Sequence, residues 1–332
     1  MWRGFLIALI AVAAPSGFSA DWNQRLATDY LDSRQKEWFV WPRAKVASSA
    51  CVSCHTGLPY LLARPALRRA LGESQPTSYE ARLLEGVQAQ AEAKVVLSAL
   101  VFALRDADKK TLSLEAERAF DRLWSSQIRD GKDRGAWEWP DFQRDPWATA
   151  DSPFYGAAMA ALAVGTAPEG YQRRPQIGQQ LHAMAEYLQR EAPTQPLHNR
   201  LTLLWAASKL PVALPPEGRH LIIDEILRKQ EPDGGWTMES LGPWQRRTEA
   251  PPHEGSNAYA TAYVAFIMQQ AGVGPSGGGL TRALEWLRAH QDRQFGFWAA
   301  VSMNKRYEPD SMQIRFMQDA ATGFAVLALL GK

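Results

Sequence analysis

Apolar and polar positions follow two rhythms along this chain. In the first, apolar residues recur at helical spacing on one side of a charged stretch: FDRLWSSQIRDGKDRGAW at 120–137, IDEILRKQEPDGGW at 223–236 and ALEWLRAHQDRQFGFW at 283–298. Each of these runs to a Gln, turns, and closes on Gly and Trp. In the second, small residues make a helix apolar all round: DSPFYGAAMAALAVG from 151, SNAYATAYVAFIMQQAG from 256 and QDAATGFAVLALLG from 318. An amphipathic helix covers a core, and a helix apolar on every side lies inside one. The alternation therefore predicts outer helices paired with inner ones, in a repeat. Two further pairs, 78–90 with 93–104 and 177–191 with 197–210, lack the Gly-Trp ending. A sixth pair begins at 26–35, and its second helix starts near His55. Proline and glycine clusters at 192–193, 215–216, 251–252 and 277–279 fall between the helices, as breakers do. The pattern predicts an all-α fold, one closed ring of six helical hairpins spanning 21–332, with no strand of consequence.

The Gln–Gly-Trp segments resemble the QW repeats of the squalene–hopene cyclase family, and the ring resembles the (α/α)6 toroid of terpene cyclases and protein prenyltransferases. The resemblance covers roughly 21–330. It implies that Gln127 with Trp137, Gln230 with Trp236, and Gln291 with Trp298 each tie an outer helix to the next turn. The cyclase chemistry does not carry over. The Asp-x-Asp-Asp acid of those enzymes has no counterpart, its nearest match being Asp106-Ala107-Asp108-Lys109, expected on a solvated helix end. The zinc set of the prenyltransferases is also missing, since it needs a cysteine outside the motif described below.

Residues 1–20 have a basic head at Arg3, an apolar run over 5–14 and a small-residue exit at 17–20. That is the layout of a secretory signal peptide, too short to span a bilayer. It predicts export to a periplasm and a mature chain without a membrane span. The charges, 37 basic against 35 acidic, give no reason to expect nucleic acid.

The chain's two cysteines stand in Cys51-Val52-Ser53-Cys54-His55. A redox dithiol of this spacing needs a βαβ setting, and a zinc site needs about four ligands. Attachment of one covalent haem c uses every residue of the motif: two thiols for the vinyl groups and an adjacent imidazole for the iron. Repeat alignment sets Thr56-Gly57 beside Thr322-Gly323 and Thr261-Ala262, so His55 falls at the opening of an inner helix, at the mouth of the ring. The motif makes Cys51, Cys54 and His55 the cofactor-binding residues, with His55 as proximal iron ligand. Ring closure brings the 295–317 loop near, which makes Met303 or Met312 the candidate distal ligand, with Met317 and His253 behind them. Arg43, Arg64 or Arg68 are candidates for the haem propionates, and Pro59 and Pro65 for shaping the helix start.

Two function classes follow. One is a haem protein on a cyclase-like scaffold that transfers electrons to a redox partner protein or does redox chemistry at the iron. The other binds or processes an isoprenoid or other apolar small molecule in the ring, lined by Tyr155, Tyr259, Tyr263 and Phe324. A polysaccharide-lyase reading has only Tyr259 and Arg247 to rest on.

Overall fold

The computed structural model describes residues 21–331 apart from 47, 169, 245–248, 253, 275 and 277, so the signal-peptide segment, Arg247 and His253 lie outside the described residues. Among the described residues, twelve α-helices alternate between an outer and an inner layer. The outer helices are α1 (Gln24–Val40), α3 (Ser78–Ala89), α5 (Leu114–Ser125), α7 (Gly178–Glu191), α9 (Pro216–Arg228) and α11 (Gly279–Ala289). The inner ones are α2 (Gly57–Ala70), α4 (Val95–Asp106), α6 (Ser152–Thr166), α8 (Leu197–Lys209), α10 (Ala258–Gln270) and α12 (Phe316–Leu330). Each inner helix packs on the next, and α12 returns to α2 and α1, which closes the ring. The small residues explain the layering. Every residue of α10 from Ala258 to Met268 is buried, whereas α9 buries only Ile222 and Ile226. The strands among the described residues are a two-residue antiparallel ladder, β1 (Lys45–Val46) with β2 (Ser49–Ala50). The expected all-α toroid is the observed fold.

The Gln and Trp of each repeat do the same work three times. The indole N–H of Trp137 donates to Leu123 O (2.6 Å), that of Trp236 to Ile226 O (2.8 Å) and that of Trp298 to Leu287 O (2.7 Å). Each adds a donor to a carbonyl near the end of an outer helix, where the regular ladder of backbone bonds runs out. The glutamine amides bridge outward. Gln127 donates to Gly135 O and Gln180 O, Gln230 to Gly234 O and Gly279 O, and Gln291 to Gly296 O and Asn23 O. The last of these joins the final turn to the cap of α1, so one repeat contact is also the seam of the ring. The glycine two positions before each tryptophan is required by conformation and by space. Gly135, Gly234 and Gly296 have φ of +97°, +98° and +80°, and a Cβ at Gly296 would stand 2.3 Å from Leu26 C.

The middle of the ring is solid. Tyr155, His198, Tyr259, Tyr263 and Phe324 are all buried and lie against one another. His198 Nε2 meets the Tyr259 hydroxyl at 2.8 Å, and the Tyr263 hydroxyl meets Thr202 Oγ1 at 2.6 Å. The aromatics expected to line a hollow fill it instead. Asp106 also departs from expectation. It is fully buried, accepting from Ser113 N (2.7 Å), Ser113 Oγ (2.6 Å), Arg105 and Lys109. It fastens the end of α4 to the cap of α5.

Candidate functional site

The segment between α1 and α2 carries the cysteine motif, and short-range bonds set its path. The β1–β2 ladder turns the chain back, and Cys51 N–H donates to Ala44 O at 2.7 Å. The Trp38 indole holds Cys51 O (2.8 Å), and Lys94 Nζ holds Val52 O (2.9 Å). Ser53 Oγ accepts from the amides of Thr56 and Gly57, which caps the start of α2. The result is a rigid corner with Cys51, Cys54 and His55 on the wall of one cavity.

That cavity has a volume of about 600 Å³, within the range of sites that enclose a single small molecule or cofactor. It lies at the N-terminal ends of α2, α4 and α12. The 138–148 loop supplies Trp139, Trp147 and Asp145, and the last loop supplies Asn304 and Tyr307. Trp38 and Phe316 complete an aromatic wall around His55. The Phe316 ring stacks on the imidazole at 3.7 Å, and Trp38 meets it edge-on at 5.5 Å. Lys94 and Arg144 bring positive charge to the lining.

The thiols are free and partly exposed. Burial raises both, Cys54 to about 11, with Lys94 pulling the other way. They are neutral thiols at neutral pH and poor nucleophiles, which does not suit a redox dithiol. Burial, helped by the charges of Lys94 and Arg34, lowers His55 to about 3, so its imidazole is neutral.

One side of that imidazole is held from across the seam. His55 Nδ1 lies 2.9 Å from Thr56 Oγ1, and Thr56 Oγ1 donates to Asp319 Oδ2 at 2.8 Å. Asp319, on the first turns of α12, also accepts from Tyr30 OH (2.7 Å), Arg34 Nε (2.8 Å) and Arg34 Nη2 (3.2 Å). Four donors meet the four lone-pair sites of a carboxylate, which is the hydrogen-bond geometry of the ionised form. Burial is the largest influence and raises this carboxyl overall, against the lowering pull of the Arg34 guanidinium and the two hydroxyls. Nε2, the other ring nitrogen, has no hydrogen-bond partner among the described residues, and His55 lines the cavity.

The structure sorts the remaining candidates. Met317 lines the cavity; Met303 and Met312 are not among its lining residues. Met303 is buried in the core, and Met312 Sδ takes a hydrogen bond from Arg34 (3.4 Å). Arg64 and Arg68 are not there either. Arg64 is buried against Asp32 and Glu73, and Arg68 pairs with Glu80, so they tie α2 to its neighbours. Arg43 is exposed outside the lining. Pro59 does sit in the first turn of α2, packed on Gly323, while Pro65 is inside the helix. Trp139, Trp147, Lys94 and Arg144 went unnoticed in sequence. The signal available for the indoles was the Trp-rich run 137–147, whose members beyond the repeat position have no repeat role to explain them. Among the described residues no group of three His, Cys, Asp or Glu side chains could hold a bare metal ion. No described helix is long and apolar enough to cross a membrane.

No protein-family model and no curated protein sequence matches the chain. Solved structures do. An inactive variant of the GH76A α-1,6-mannanase of Salegentibacter sp. HEL1_6, in complex with α-1,6-mannotriose, shares 12% identity over 93% of this chain and 100% of that one, at a TM-score of 0.50. A second inactive variant of the same enzyme, bound to α-1,6-mannotetrose, shares 13% identity over 93% and 99% of the two chains, also at 0.50. The likeness is one of fold. It corrects the functional expectation: these solved structures are of an α-1,6-mannanase and point to carbohydrate chemistry, away from electron carriage or isoprenoid processing. Electron transfer to a redox partner, haem redox chemistry and isoprenoid processing therefore draw nothing from the scaffold. The isoprenoid reading also fails on space, because the ring centre is filled by Tyr155, Tyr259, Tyr263 and Phe324.

Proposed function

We propose that the cavity holds one covalently attached haem c and that the chain's function is to bind a small ligand there. The observation that carries this is the donor set: two free thiols and a neutral imidazole with Nε2 unpartnered, on one wall of an apolar cavity of about 600 Å³. Cys51 and Cys54 would each add across a vinyl group, sulfur to one carbon and the thiol hydrogen to the other, so attachment consumes no oxidant. His55 would take the iron through Nε2, and Lys94 and Arg144 are the lining cations suited to carboxylate side chains. When bound, the group would supply an iron centre able to take a small ligand. Met317 is the one thioether among the described lining residues. Electron carriage, redox turnover and isoprenoid processing form no part of the proposal. Export by residues 1–20 to a periplasm belongs to it, since that compartment permits this attachment.

The test is co-expression with a cytochrome c maturation system. Haem that survives acid-acetone extraction, and is lost in Cys54→Ala, is the expected result; complete extraction from the wild type overturns the assignment. Rapid binding of carbon monoxide by the reduced protein is expected of a ligand-binding site, and its refusal removes that function while leaving attachment intact.

A glycan-cleaving role is the second reading, favoured by the mannanase-like fold and by three indoles (Trp38, Trp139, Trp147) and two carboxylates (Glu138, Asp145) around the cavity. Glycoside hydrolysis uses a carboxylate pair. The mannanase variants are inactive through replacement of two adjacent aspartates, and this sequence has no such pair. Nor does the second reading use Cys51, Cys54 or His55. Release of mannose oligomers from α-1,6-mannan by the purified protein would replace the first reading with this one.

A further inference from the structure

We infer that Thr56 and Asp319 form a positioning relay that fixes His55 as the Nδ1–H tautomer and turns its Nε2 lone pair into the cavity. The inference rests on the haem reading above and adds to it the residues that set the ligand's electronic character.

The argument is one of proton placement. A carboxylate only accepts, so the hydrogen between Thr56 Oγ1 and Asp319 Oδ2 (2.8 Å) belongs to the threonine. A charged acceptor also outcompetes a neutral ring nitrogen for that hydrogen. The 2.9 Å contact between Thr56 Oγ1 and His55 Nδ1 still needs a hydrogen, and only the imidazole can provide it. Ser53 Oγ has two backbone amides on its lone pairs and only its own hydrogen to offer Nδ1, across 3.4 Å, a longer and weaker contact than the 2.9 Å one to Thr56. The proton is thus on Nδ1 and the lone pair on Nε2, the nitrogen free to bind.

The relay is fixed from behind as well. Arg34 is 1% exposed and grips Asp319 with two N–H groups, while Tyr30 donates to the same carboxylate and takes a bond from Gln318. Thr322 and Thr261, at the corresponding repeat position, receive the backbone N–H of Trp298 and Trp236 instead. In the first repeat that threonine is redeployed from bracing a turn to holding the histidine. An N–H that donates toward a carboxylate-backed acceptor makes the imidazole a stronger electron donor, and removal of such partners typically changes metal affinity by about 10–100-fold.

Thr56→Val keeps the shape and removes the hydroxyl, whereas Thr56→Ser keeps the hydroxyl; both leave the Arg34–Asp319 pair in place. In the haem-loaded full chain, the valine variant is expected to raise the reduction midpoint by about tenfold in the ferric-to-ferrous binding ratio, or ~59 mV for one electron. Its His55 Nδ1–H resonance in reduced-state nitrogen NMR should shift, with Thr56→Ser close to wild type in both readouts. A role in packing alone would not separate valine from serine in this way. Haem retained through acid-acetone extraction, with equal midpoints in the two variants, overturns the relay alone. Haem lost on extraction removes the cofactor reading, and the relay's purpose with it.

Discussion

Gly296→Ala puts one methyl group at the seam where the ring closes. Two costs add. The residue has φ of +80°, and an alanine held in the left-handed region costs about 1–2 kcal/mol. The new Cβ would also stand 2.3 Å from Leu26 C, 2.5 Å from Leu26 O and 2.6 Å from Leu26 Cβ. Backbone cannot swing aside as a side-chain tip can, so α1 must shift, and overpacking of this kind costs about 1–3 kcal/mol. The sum is roughly 2–5 kcal/mol. Gly72 provides the control, because its φ is +71° and its Cβ would meet nothing within 4 Å. Gly72→Ala should therefore show only the conformational part, about 1–2 kcal/mol. Urea denaturation followed by far-ultraviolet circular dichroism reads both, each change being the midpoint shift multiplied by the slope. Equal losses in the two variants would refute the tight seam, since the only feature separating them is the approach of α1.

Trp236→Ala removes a fully buried indole and its bond to Ile226 O; a loss of about 3–5 kcal/mol is expected in the same assay, and a change near zero would mean that the Gly-Trp turns do not brace the ring. Asp106 carries a pH prediction. Burial alone would raise it, but donors from Arg105, Lys109 and Ser113 outweigh burial and hold the carboxyl well below the ordinary range. A carboxyl lower in the folded state adds stability that is present above its unfolded value, about 3.9, and lost as pH falls through the folded one. The gap in stability between wild type and Asp106→Asn should be full at pH 7 and narrow below about pH 4; a gap of constant size over the whole acid range contradicts the buried-carboxylate account.

Local features were legible in the sequence, and long-range partners were not. The three Gln–Gly-Trp turns were readable because each uses residues within one short segment, and the Thr56–Thr261–Thr322 register followed from the repeat. Even the neighbourhood of the last loop and the motif followed from closure. What that register could not reveal is that Thr56 changes partner, because Asp319 lies 263 residues away with no local mark of its role. Arg64 and Arg68 were expected among the cavity cations for a similar reason. A sequence shows that an arginine is near a site, but not that Asp32, Glu73 and Glu80 already surround it. Asp106 reads as a solvated helix end until Ser113 is weighed with it, a helix-capping residue seven positions on whose amide and hydroxyl both need an acceptor. The filled ring centre was beyond reach as well: a tyrosine on an inner helix reads the same whether it lines a space or occupies it.

Closure by the last helix also sets an order in time. Cys51 and Cys54 are synthesised before α12, which supplies Asp319, Phe316 and the seal against α2. Until then the first repeat has a free flank, and the thiols are reachable from a side that the finished molecule covers. Pairings this distant along the chain form late because the intervening loop must first be closed. Any enzyme that modifies these thiols therefore has its best access to a nascent substrate, and a variant that closes the ring faster would shorten the interval in which that enzyme can act.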